Sequence, residues 1–165
     1  MAIFTGEYEC NMDAKGRLLL PAKLKAKLPD CSKHEVVLSR GFEPCLIIYT
    51  KEEYDKVYQR VSSLSHFNLE HRKLQRNFFR GSIEVDLDNL GRFLIPKRMV
   101  QYASLSKETL IVGAGNVLEI WNPEVYDNYI LDTPEDYSDL AQKYLDSNPL
   151  HDNGNGHVSP ASIAS

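Results

Sequence analysis

A chain of 165 residues with net charge −4, 42% of them hydrophobic and 25% charged, has the make-up of an ordinary folded protein and can bury about 70% of its unfolded surface without staples. It holds no run near the roughly 20 apolar residues of a membrane span, and its opening MAIFTGEYEC lacks the basic-then-apolar layout of an export signal, so a cytoplasmic protein without a membrane partner is expected. The negative sum hides a division: eight acids from Glu124 onward face one base, Lys143, which leaves the chain before them net basic.

The first predicted element is a strand, because apolar Tyr8, Cys10 and Met12 alternate with Glu9, Asn11 and Asp13. DAKGR at 13–17 then reads as a tight turn. Gly16 stands where positive φ is needed, and the Asp13 carboxylate can accept from backbone N–H groups two or three residues on. Arg17 begins the returning strand with Leu18 and Leu20, and Pro21 opens a short helix. Lys15, Lys23, Lys25 and Lys27 are expected to surround this turn. EVVLSRGFEPCLIIYTKEEY at 35–54 reads as strand, glycine-containing turn, strand and helix start, with Thr50 and Glu53 in capping-box spacing. HFNLEHRKLQRNFFRG at 66–81 predicts a helix with Phe67, His71, Leu74 and Phe78 on its apolar stripe. Arg72, Arg76 and Arg80 fall on a neighbouring face, read as solvated or facing another subunit.

The chain then repeats itself. IEVDLDNLGRFLIPKRM at 83–99 aligns with 8–24: Ile83, Val85 and Leu87 take the apolar positions, Asp88, Gly91 and Arg92 the turn, and Pro96 the helix start. ETLIVGAGNVLEIWNPEVY at 108–126 aligns with 35–54, with GAGN as a hairpin turn. Tyr49 and Trp121 occupy equivalent strand ends and are assigned to core or interface packing. Asn122-Pro123 and Thr133-Pro134-Glu135 signal two more helix starts, the latter for a helix over roughly 134–146. The stretch SNPLHDNGNGHVSPASIAS has no periodicity and is expected to be a flexible tail.

Few residues suggest catalysis. Cys10, Cys31 and Cys45 are odd in number and widely spaced, so they read as buried or half-buried free thiols. His34, His66, His71, His151 and His157 show no ligand spacing, GAGN is no phosphate loop, and no nucleophile–base constellation accompanies the turns. No metal, cofactor, small-molecule substrate or enzymatic activity is expected. An arginine on a stiff turn offers a planar fork that matches phosphate or the O6/N7 edge of guanine. Lys97 and Arg98 follow the second turn as Lys23 follows the first. Two readings stay open on the residues alone. Either Asp and Arg pair across each turn and touch nothing else, or a duplicated turn in basic surroundings meets an anionic partner.

GEYECNMDAKGRLLLPAKL, LSRGFEPCLIIY, FFRGSIEVDLDNLGRFLIP and LEIW, in order from about Phe4 to Asp139, resemble the MraZ family of the AbrB-like swapped-hairpin superfamily. The resemblance implies a mainly β fold with α decoration, a double-split β-barrel of two tandem AbrB-like swapped-hairpin halves intertwined in one chain. It places a first DNA-binding half at 5–51, linking helices at 52–79, a second DNA-binding half at 80–123, C-terminal helices at 124–147 and the tail at 148–165. It further implies a sequence-specific DNA-binding transcriptional regulator of the division and cell-wall gene cluster, read as a repressor. Such a protein would be cytoplasmic and nucleoid-associated, form a ring-shaped homo-oligomer, and bind direct repeats in double-stranded DNA upstream of its own operon. Carried over by position, the DNA-binding residues are Asp13, Lys15, Gly16 and Arg17, then Asp88, Gly91 and Arg92, with Lys23, Lys97 and Arg98 beside them. Leu90 stands where the first turn has Lys15, so the first turn is expected to make the main contact. The competing expectation is an oligomeric protein-interaction scaffold without specific DNA binding.

Overall fold

The two repeats share one core and lend strands to each other. The computed structural model describes residues 2–29 and 35–146. Cys31, His34, His151, His157 and the expected tail lie outside the described residues. The chain divides into two units, Met1–Asn128 and Tyr129–Ser165.

The first repeat runs β1 (Glu7–Asn11), β2 (Arg17–Leu19), α1 (Ala22–Lys25), β3 (Glu35–Arg40), β4 (Leu46–Thr50) and α2 (Lys51–Ser62). After α3 (Leu69–Arg80) the second runs β5 (Ser82–Asp86), β6 (Arg92–Leu94), α4 (Lys97–Tyr102), β7 (Glu108–Gly113), β8 (Leu118–Trp121) and α5 (Pro123–Tyr126). In the second unit, α6 (Pro134–Leu145) is capped by Thr133, whose side chain accepts from Asp136 N–H at 3.2 Å.

Every ladder is antiparallel. One sheet has six strands in the order β1-β7-β8-β4-β3-β5, and β2 pairs with β6 in a separate ribbon. The halves are exchanged: β1 lies along β7 (Tyr8↔Ile111) and β5 along β3 (Val36↔Val85). The six-stranded sheet is open, with β1 and β5 at its edges. Val36, Leu38, Leu46, Ile48, Ile111, Leu118 and Ile120 point to one core, joined there by Leu18, Leu20, Phe93 and Ile95 from the ribbon. Tyr49 and Trp121 are buried on the sheet's other face. Tyr54 and Val57 of α2 pack with Tyr49, and Val125 and Tyr126 of α5 pack with Trp121. A strand covered on both faces needs a continuous apolar run, which is why LIIYT shows no alternation.

The helix starts follow the local chemistry. Thr50 Oγ1 accepts from Glu53 N–H at 3.2 Å, and Asn122 Oδ1 from Glu124 N–H at 3.0 Å. The Glu53 side chain does not return to Thr50; it accepts from Lys56 and from Asn116 in the β7–β8 turn, each at 2.8 Å. Pro21 and Pro96 precede their helices by one residue, as N-caps.

The predicted stripe on α3 is corrected. Phe67 lies before the helix and is 99% exposed, and Leu74 is 44% exposed. The buried residues are Gln75 and Phe78, because Gln75 Nε2 donates to Val61 O at 3.0 Å and Leu64 O at 3.1 Å. A polar side chain is buried there because it satisfies carbonyls at the end of α2.

Candidate nucleic-acid interface

The two D-x-x-G-R turns have the same internal wiring. In the first, Asp13 Oδ1 accepts from the backbone N–H groups of Lys15 and Arg17, both at 2.9 Å, while Oδ2 accepts from Arg17 Nε at 2.8 Å. In the second, Asp88 Oδ1 accepts from Leu90 at 2.9 Å and Arg92 at 2.8 Å, and Oδ2 from Arg92 Nε at 2.7 Å. Gly16 and Gly91 have φ of +82° and +84°, a region that any side chain would strain. The Arg17 backbone N–H, then its guanidinium, holds the Asp13 carboxyl below its ordinary pKa, and Arg92 does the same for Asp88.

The turns also lock one another. Leu20 N–H donates to Gly91 O and Ile95 N–H to Gly16 O, both at 2.9 Å. Between these bonds the ribbon pairs Arg17↔Leu94, Leu18↔Phe93 and Leu19↔Arg92. Side chains alternate across a strand, so with Leu18 and Phe93 inside, Arg17, Leu19, Arg92 and Leu94 share the outer face. Ribbon geometry separates the two arginine Cα atoms by ~8–9 Å, inside a major groove about 12 Å wide.

The structure shows Asp and Arg paired, yet pairing uses only Nε. The Nη atoms of Arg17 and Arg92 make no hydrogen bond among the described residues, and both side chains remain about one-third exposed (33% and 35%). A carboxylate that grips Nε fixes the plane of the guanidinium and leaves its far edge for another acceptor. Pairing across each turn therefore does not use up the arginine's outer donors.

Lys15, Lys23, Lys97 and Arg98 are exposed and make no ion pair among the described residues. Lys25 corrects an expectation: it packs beside the second turn, not the first, with its Cδ 3.2 Å from where a Cβ on Gly91 would stand. The exchange of strands between repeats carries α1 across to the other repeat's turn. Lys27 donates to Ile3 O at 3.1 Å. On α3, Arg72 Nη1 donates to His66 O at 2.7 Å.

Sequence reasoning assigned no role to Leu19 and Leu94, which are 50% and 56% exposed on the ribbon's outer face. The signal was present in their alternation with Leu18 and Leu20, and with Phe93 and Ile95.

Other chemistry finds little support. Burial pushes up the thiol pKa of Cys10 and, to about 12, that of Cys45, so neither is a ready thiolate at neutral pH. Among the described residues no group of three His, Cys, Asp or Glu could hold a metal ion. No described helix is long and apolar enough to cross a membrane.

The family model described as "MraZ protein, putative antitoxin-like" matches twice in tandem, over residues 3–77 and 78–148. The Transcriptional regulator MraZ of Cytophaga hutchinsonii is 48% identical over 145 residues, which cover 88% of this chain and 96% of that protein. The chain belongs to the MraZ family.

Proposed function

Starting from a MraZ-family chain with two arginine-bearing turns on one ribbon, we propose that it is a transcriptional regulator that binds double-stranded DNA through the outer face of β2 and β6. The observation that carries this reading is the pair of Asp-held arginines, which arrive from opposite repeats with their Nη edges unengaged among the described residues. A two-stranded ribbon fits a major groove, where a guanidinium can donate twice to guanine O6 and N7. Leu19 and Leu94 offer apolar contact to thymine methyl groups, and Lys15, Lys23, Lys97 and Arg98 offer phosphate contacts that set register. Asp13, Asp88, Gly16 and Gly91 act indirectly, by shaping the turns.

The proposal extends to the assembly and its target. The residues at 5–51 and 80–123 are read as two DNA-binding halves, with helices at 52–79 and 124–147. β2 continues from β1 through the first turn with one bridge, Met12↔Leu18, and β6 continues from β5 through the second, which supports a barrel split at those two places. Phe42, Leu74 and Tyr102 line a groove of about 310 Å³ with exposed apolar side chains, which supports self-association into a ring. A ring of weak readers on direct repeats gains avidity of roughly 10²–10⁴-fold when the spacings match. We further propose the division and cell-wall cluster as the regulated genes, with repression as the output and the nucleoid-bearing cytoplasm as the location.

Footprinting the purified chain on DNA upstream of its own gene tests this reading. Protection at regular intervals over direct repeats is expected. Uniform cleavage at moderate salt contradicts it and favours a protein-docking scaffold.

A further inference from the structure

We propose that Lys25 is the phosphate-binding cation of the second turn, lent to it by the opposite repeat; this rests on the DNA-binding reading above. In the repeat alignment Lys15 corresponds to Leu90, and Lys25 to Val100. At the first turn Lys15 is exposed in the turn itself, while Val100 is half-buried and packs against the core. At the second, the corresponding turn position holds Leu90, 66% exposed, and Lys25 arrives from α1. The cation has changed its place in the sequence between the two copies, and the fold returns it to the same kind of turn.

The contact is specific. Lys25 Cδ and Cε lie 3.2 and 3.7 Å from the point where a Cβ on Gly91 would stand. Leu20 N–H, donating to Gly91 O at 2.9 Å, anchors the strand that leads into α1. Lys25 is half-buried where Lys23 and Lys27 are exposed, so its aliphatic stem covers the glycine. Its ammonium, one bond beyond Cε, makes no hydrogen bond or ion pair among the described residues. Gly16 has no residue of α4 among its nearest neighbours, which are Ile95 O and the Leu94 side chain. Each turn thus carries one arginine and one lysine, and only the lysine's origin differs. A flexible point charge on a packed stem suits a phosphate oxygen better than a base edge.

Fluorescence anisotropy with a labelled duplex carrying one direct repeat from upstream of the chain's own gene tests this. Lys25→Met keeps the stem over Gly91 and removes the charge. It is expected to weaken binding roughly 5- to 10-fold near 0.1 M salt and to lower the slope of log affinity against log salt by about 1. Adding Leu90→Lys to Lys25→Met is expected to restore both. Wild-type affinity and slope in Lys25→Met, or no recovery with Leu90→Lys, overturns the assignment while leaving the DNA-binding reading intact. A wild-type chain that ignores the duplex overturns both.

Discussion

Asp13 and Asp88 each engage both carboxylate oxygens within one turn, one on backbone N–H groups and the other on an arginine Nε. Their acidity records this. Hydrogen bonds to the ionised form lower the folded-state pKa below the ordinary 3.8, so the carboxylates stabilise the turns above that pH, and the contribution is lost as pH falls through the lower folded value. Carbon-13 titration of the Asp13 side chain is expected to give a midpoint below 3.8, and a midpoint at or above it contradicts the wiring. The glycines are constrained too. Gly16→Ala is expected to cost roughly 1–2 kcal/mol in chemical denaturation, from the left-handed backbone alone. Gly91→Ala should cost at least as much, because its methyl group would also press on Lys25.

At the scale of elements, the ribbon and the α2–α3 connection show how far local sequence carries. Gln75 clamps the end of α2 through two carbonyls. Gln75→Leu is therefore expected to lower stability by about 1–3 kcal/mol in urea unfolding, since it removes both hydrogen bonds and takes its side-chain donor from the half-buried Leu64 carbonyl. Stability unchanged by that substitution contradicts the clamp. Strand period, turn glycines and caps were legible in the sequence because each depends on residues within a few positions, as at Thr50, Gly16 and Asn122. The buried face of α3 was half legible: Phe78 was expected and is buried, but hydropathy ranks Leu74 above Gln75 and takes no account of carbonyls at Val61 and Leu64. Lys25 was misplaced for a related reason. Its neighbour in sequence is the first turn, whereas β2 pairs with β6 and delivers it to the second. The Arg–Leu–Arg–Leu face was half legible: alternation turns Leu19 outward, but only the register Leu19↔Arg92 sets it beside an arginine from the other repeat.

At the scale of the molecule, two turns on one ribbon act as a unit because neither is complete alone: each glycine carbonyl accepts from the other repeat. An acidic chain can still hold a basic cluster, since Lys15, Arg17, Lys23, Lys25 and Lys27 fall within residues 13–28 with Asp13 as the only acid there, despite a net charge of −4. Self-association is expected to use the groove at Phe42, Leu74 and Tyr102. Phe42→Asp with Leu74→Asp should reduce the mass measured by light scattering while the circular dichroism spectrum stays unchanged. An unaltered mass would contradict self-association through this groove. The most direct measurement is the affinity of the Arg17→Ala/Arg92→Ala double variant for the upstream repeats, beside the wild type. Two base contacts of about 1–3 kcal/mol each predict a loss of at least roughly 30-fold for the repeats, with a much smaller loss on unrelated duplex. Equal affinity of variant and wild type for the repeats would show that DNA is read elsewhere on the molecule, or not at all.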